Sequence, residues 1–142
     1  MLTLAQANQL IEGALLEAQK QQFKPLTVAV LDSGGRLKAF QKQDGASLLR
    51  EDIAIGKAWG ALGLGEHSRK IQKMAEERPL FISSLMSASQ GRLVPVAGGL
   101  LIANNQDELI GAIGVTGDTS DHDEQCALAG IVAAGFKPFG AF

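Results

Sequence analysis

Tyrosine is absent from the 142 residues, and aromatic side chains of any kind make up only 5%. The core therefore has to be aliphatic and closely packed around small residues, in keeping with 46% hydrophobic content and 17 glycines. A single cysteine, Cys126, excludes an internal disulfide and leaves no cysteine-based zinc site. No apolar run approaches the ~20 residues of a membrane span. MLTLAQANQLIEG also lacks the basic region and uninterrupted apolar run of a secretory signal, so the expected compartment is the cytoplasm. A strong excess of charge is missing too. With a net charge of −2 and no Lys/Arg cluster beside aromatic residues, the sequence argues against nucleic acid and membrane surfaces as partners. A small-molecule or protein partner is expected instead. The length is that of one domain, 1–142, which buries roughly 70% of its unfolded surface.

The richest stretch is Gly98 to Gly135. Leu100–Ala103 and Leu109–Val115 are short aliphatic runs on either side of Asn104, Asn105, Gln106 and Asp107, the signature of two antiparallel strands joined by a turn. The chain then turns polar through Thr116–Glu124 before apolar spacing resumes at Cys126, Ala127, Gly130 and Ile131. Ser120 with Asp123 three residues on fits a capping box, and acidic groups suit the positive end of the helix. Gly135 would close that helix. Asp118, Asp121, Asp123 and Glu124 match no calcium-loop spacing, and Gly111, Gly114 and Gly117 match no dinucleotide fingerprint. The loop after Val115 is expected to present free backbone N–H groups, with Gly117 keeping side chains out of the way of a ligand.

Upstream, Thr3 opens an amphipathic helix with Leu4, Ala7, Leu10, Ile11, Ala14, Leu15 and Ala18 on one face. Leu26–Leu31 and Arg36–Lys42, separated by Asp32-Ser33-Gly34-Gly35, read as a first hairpin. Helical spacing runs from Ser47 to about Leu64, and Gly56 and Gly60 one turn apart imply a close contact with sheet, ligand or another subunit. Glu66–Glu77 and Leu80–Ser87 follow as helices, then Leu93–Ala97 as a strand. The strands are thus expected near 26–32, 36–42, 93–97, 100–104 and 109–116, with helices for both faces.

LTVAVLDSGGRLKAF, DIAIGKAWGALGLG, GRLVPVAGGLLI and ELIGAIGVTGDTSDHDEQCALAGI together resemble the GlcG/HbpS-like family, which includes the C-terminal domain of PduO, over nearly the whole chain. The resemblance implies an α+β, profilin-like fold, three layers α/β/α around a five-stranded antiparallel sheet, in a homo-oligomer. It also implies haem or a related tetrapyrrole as ligand, but supplies no axial ligand.

A haem site wants an iron ligand, an apolar slot and cations for the propionates. His67 and His122 are the two candidate iron ligands, each otherwise a surface residue. Arg50 and Lys57, seven apart on one helix face, are the candidate cations, although such charges are commonly just the wet side of a helix. The slot is expected between the Gly56/Gly60 helix and the sheet end near Gly117, bordered by Lys57 and Asp121. Two other classes compete: an enzyme on a small anionic metabolite, anchored by Lys57 and Arg50 with Asp121 or His122 moving a proton, and an oligomeric accessory protein without chemistry.

Overall fold

The computed structural model describes residues 1–142. Ten elements follow one another: α1 (Leu4–Gln21), β1 (Thr27–Asp32), β2 (Leu37–Lys42), α2 (Arg50–Leu64), α3 (Ser68–Glu77), α4 (Pro79–Ala88), β3 (Gly99–Ala103), β4 (Leu109–Thr116), α5 (Ser120–Ala133) and β5 (Lys137–Pro138). The five strands form one sheet in the order β2-β1-β4-β3-β5, and every pairing is antiparallel. The expected α+β architecture stands.

Strand alternation sorts the core into two layers. Val28 and Val30 of β1, Leu100 and Ile102 of β3, and Ile113 and Val115 of β4 face α1 and α5, where they meet Leu10, Ile11, Cys126 and Ile131. Leu31, Leu101 and Ala112 point the other way, against Ala58 and Ala61 of α2. Burying a side chain such as Leu10 completely contributes about 1.5–3 kcal/mol, so the aliphatic stripe of α1 fixes the helix to the sheet. Its first turn is closed by a reciprocal cap, Thr3 Oγ1 accepting from the Gln6 N–H and Gln6 Oε1 from the Thr3 N–H.

Three local expectations change. Leu93–Ala97 is not a strand. Its backbone runs along α2, where the Val94 N–H donates to the Gly56 carbonyl at 3.3 Å, and the Ala97 N–H donates to Gln72 Oε1 at 2.8 Å. Gly56 and Gly60 make this approach fit: a Cβ on Gly60 would come within 2.8 Å of Leu93 Cδ1, and one on Gly56 would clash with Val94. The contact those glycines implied is therefore internal to the chain. The fifth strand is instead the two-residue β5, paired with Ile102 and Ala103. Finally, the α5 cap sits one residue earlier than expected, with Thr119 Oγ1 accepting from the His122 N–H at 3.2 Å. Gly135, at φ +82°, ends that helix in the left-handed conformation that glycine adopts without strain.

Candidate functional site

Helix α2 crosses the sheet so closely that a Cβ on Gly114 would strike the Ala54 carbonyl oxygen. This crossing buries Lys57 at the point where β4 ends. Its ammonium donates to the Val115 carbonyl at 2.9 Å and to Asp123 Oδ2 at 3.1 Å, and both side chains of the ion pair are only 2% exposed. Burial lowers the Lys57 pKa, and the Asp123 carboxylate opposes that shift. The carboxylate that Lys57 holds is thus the chain's own, and the residue lies inside rather than on the wet face. Arg50, one helix end away, donates to Thr116 Oγ1 at 2.8 Å and has no carboxylate partner. Thr27, directly across from Thr116 in the β1–β4 register, carries the one buried side-chain oxygen without a hydrogen bond.

The slot expected beside Gly117 is filled. A Cβ there would clash with the Pro25 carbonyl oxygen, because the β1 entrance packs directly on the loop. Three of the loop's N–H groups, those of Asp118, Thr119 and His122, are spent on the loop's own side chains. Asp118 N–H donates to Asp123 Oδ1 at 2.9 Å and Thr119 N–H to Asp118 Oδ1 at 2.7 Å. At Asp118 and Thr119 the local carboxylates therefore take the place of an external anion.

His122 stands on the outer side of this loop, its side chain 43% exposed. Its ring stacks on Phe23 with centroids 4.0 Å apart and planes 8° from parallel. Nδ1 lies 2.6 Å from Asp118 Oδ1. The Lys24 and Thr119 N–H groups, helped by the His122 ring, hold the Asp118 carboxyl down at about 2, so it is ionised and accepts. That acceptor puts the proton of the neutral imidazole on Nδ1 and leaves the Nε2 lone pair without a protein partner. Phe23 also borders a groove of about 570 Å³ along the end of α1, with Leu15, Leu16 and Ala18 as its other apolar walls.

His67 has the opposite character. It immediately precedes α3 and is only 7% exposed, where a surface residue was the default expectation. Leu101 N–H donates to Nδ1 at 3.1 Å, so Nε2 carries the proton and donates to the Phe139 carbonyl at 2.8 Å. Both ring nitrogens are committed. Asp121 lies apart from Lys57 and Arg50: Arg69 of α3 grips its carboxylate together with that of Glu124. An open cleft of about 700 Å³ follows this outer face of α3, lined by His67, Arg69, Lys70, Lys73, Glu124 and Phe142 among others.

The structure thus brings Lys57, Arg50 and Gly117 to one end of the sheet, with His122 beyond the loop and Asp121 and His67 toward α3. Phe23, an apolar residue in the polar run QQFKP, carries no sequence signal of a site, whereas Asp123 stands among the acidic residues open either to capping α5 or to meeting Arg50 and Lys57, and it does meet Lys57. The burial of Lys57 did leave a trace. It stands three residues after Ala54 and four before Ala61, on the apolar stripe of α2.

Residues 2–132 match the family described as haem degrading protein HbpS-like. The chain belongs to the HbpS-like family. A 15.0 kDa Citrobacter freundii protein from the dhaT-dhaS intergenic region is 31% identical over 89% of this chain and 87% of its own length. Among solved structures, PduOC in complex with haem superposes with a TM-score of 0.85 at 25% identity, covering 96% of both chains. A double mutant of Streptomyces reticuli HbpS gives 0.78 at 27% identity, covering 92% of this chain and 85% of that one.

Proposed function

We propose that this protein binds haem or a related tetrapyrrole, with His122 Nε2 as the ligand to iron. The observation that carries the assignment is the Asp118–His122 pair. Metal-bound histidines characteristically give their second ring N–H to a carboxylate, which fixes tautomer and orientation and raises basicity at the ligating nitrogen. His122 has that arrangement, with a part-exposed ring stacked on Phe23, which in turn borders a part-apolar groove. His67 lacks a free nitrogen. Haem, when bound, supplies the iron and its redox chemistry.

The chain's own residues position and screen. Phe23 holds the His122 ring against one face, Asp118 holds its proton, and Arg50 is a cation at this sheet end free of a carboxylate. Lys57 acts from behind by fixing Asp123, whose second oxygen receives the Asp118 N–H. The likeness to PduOC, whose structure contains haem, supports the ligand class. Haemin titration should give a saturable Soret shift. His122→Ala should abolish it, Asp118→Asn should weaken binding about tenfold, in the range found for such supporting carboxylates, and His67→Gln should leave the spectrum unchanged. Wild-type affinity and spectrum in His122→Ala would overturn the ligand assignment.

The protein works, on this reading, as a homo-oligomer in the cytoplasm. Helix α4 supports the first part, since Ile82 is its only buried residue while Leu80 and Phe81 face outward. No helix is long and apolar enough to cross a membrane. Light scattering at micromolar concentration tests the assembly, and a monomer mass would refute it.

A further inference from the structure

Helix α3 does for β3 what a neighbouring strand normally does. The outward N–H groups of a strand recur at every second residue, and here they belong to Ala97 just before β3 and to Gly99 and Leu101 within it. Their acceptors are Gln72 Oε1, Ser68 Oγ and His67 Nδ1, at 2.8, 2.7 and 3.1 Å. Only beyond that point does β5 supply backbone partners, and the Phe139 N–H donates to the Leu101 carbonyl at 2.9 Å. His67 sits at the changeover. It takes the last edge N–H with one nitrogen and holds the Phe139 carbonyl with the other, while Phe142 leans edge-on against its ring at 5.3 Å. The segment Lys137–Phe142 is therefore a strap across the edge of the sheet, with Phe142 in the wall of the α3 cleft. It lies beyond the residues matched by the HbpS-like family, 2–132.

We propose that His67 is a proton-operated latch, and that its protonation detaches the Lys137–Phe142 strap from β3 at the wall of the α3 cleft. The geometry sets the direction. A neutral imidazole can accept from Leu101 and donate to Phe139 at once, whereas an imidazolium has a proton on both nitrogens and can only donate. The second proton would point at the Leu101 N–H, so that contact turns from attractive to repulsive, while Nε2–H keeps its bond to the Phe139 carbonyl, and the ring is pushed off β3 together with the strap it holds.

Charged groups near the ring do not cancel this. The Phe139 carbonyl, Glu124 facing the ring from α5 and Glu66 preceding it in the chain all favour the charged ring, but Arg69 of α3 already occupies Glu124. Burial is the larger influence and lowers the His67 pKa below its ordinary value of 6.5. A ring kept neutral in the closed state and free to charge in the open state makes closure strongest above about pH 6.5 and progressively weaker below it. Opening should rise by up to tenfold per pH unit until the closed-state pKa is reached.

The test is amide hydrogen exchange on the full chain between pH 7.5 and 5.5, corrected for intrinsic exchange, following Leu101 and Phe139. Their opening should increase by up to tenfold per pH unit below 6.5 in the wild type, while core amides such as Val30 stay protected. In His67→Gln the acid dependence should vanish, because the amide does not titrate. A ¹⁵N titration of the wild-type imidazole gives an independent readout should that variant fold poorly: Nε2–H should be the neutral tautomer, and ring titration should coincide with strap opening. Exchange that is flat with pH, acid dependence retained in His67→Gln, or an Nδ1–H tautomer would each overturn the latch.

Discussion

Replacing Lys57 with methionine should be among the most damaging single changes on the α2 side of the sheet. The ammonium makes two hydrogen bonds, to the Val115 carbonyl and Asp123 Oδ2, in a site that is 2% exposed. Without it the Asp123 carboxylate is left buried with the Asp118 N–H as its remaining partner. Removing one member of a buried pair costs about 3–5 kcal/mol, chiefly because the other charge is stranded. An unfolding entropy of about 2.1 cal/mol/K per residue makes that loss roughly 10–17 °C in Tm for a chain of 142 residues.

Urea unfolding followed by Trp59 fluorescence would measure it, with Lys57→Met, Asp123→Leu and the double variant forming a cycle. The double variant strands no charge, so its cost should fall short of the sum of the single costs by about 2 kcal/mol. Strict additivity, or a loss below about 1 kcal/mol in Lys57→Met, would refute the view that this pair fixes α2 to α5.

Thr27→Val removes a buried hydroxyl that has no partner and keeps the side-chain shape, so stability should rise by about 1 kcal/mol in the same urea assay; a loss of that size would mean the hydroxyl is satisfied in solution. Asp118, held at about 2 against an ordinary 3.8, contributes stability that is complete above about pH 4 and lost as pH falls toward 2. Asp118→Asn should therefore flatten the acid-unfolding curve over that interval, and an unchanged curve would count against its hydrogen bonds. Gly114→Ala should cost about 3 kcal/mol or more, because the new methyl group meets backbone rather than a movable side chain. A Tm within two degrees of wild type would contradict the close crossing of α2.

Periodicity made most of the fold legible. The hairpins around Gly34 and Asn105 and the helices α1, α2 and α5 follow from aliphatic spacing and turn residues, which act over a few positions of chain. What stayed hidden depends on distant partners. Leu93–Ala97 has the composition of a strand, yet its backbone bonds go to Gly56 and Gln72, and nothing local announces that. β5 is two residues long and contains Pro138, too short to show a period. At the site, polar neighbours Glu66, Ser68 and Arg69 disguised the burial of His67, whose acceptor role is created by an edge 34 residues away. His122 was named as a candidate, but its orienting contact with Asp118, one helical turn back, separates it from His67 only once both rings are seen in place.

The position of Cys126 has a practical consequence. It lies fully buried beneath α1, and desolvation pushes its thiol up to about 12, far from the thiolate needed for alkylation. A maleimide or disulfide reagent can reach it only when the α1/α5 layer opens. Because the chain has no other sulfhydryl, the rate of labelling counts openings of that one layer, and it does so in crude mixtures where spectroscopic signals overlap.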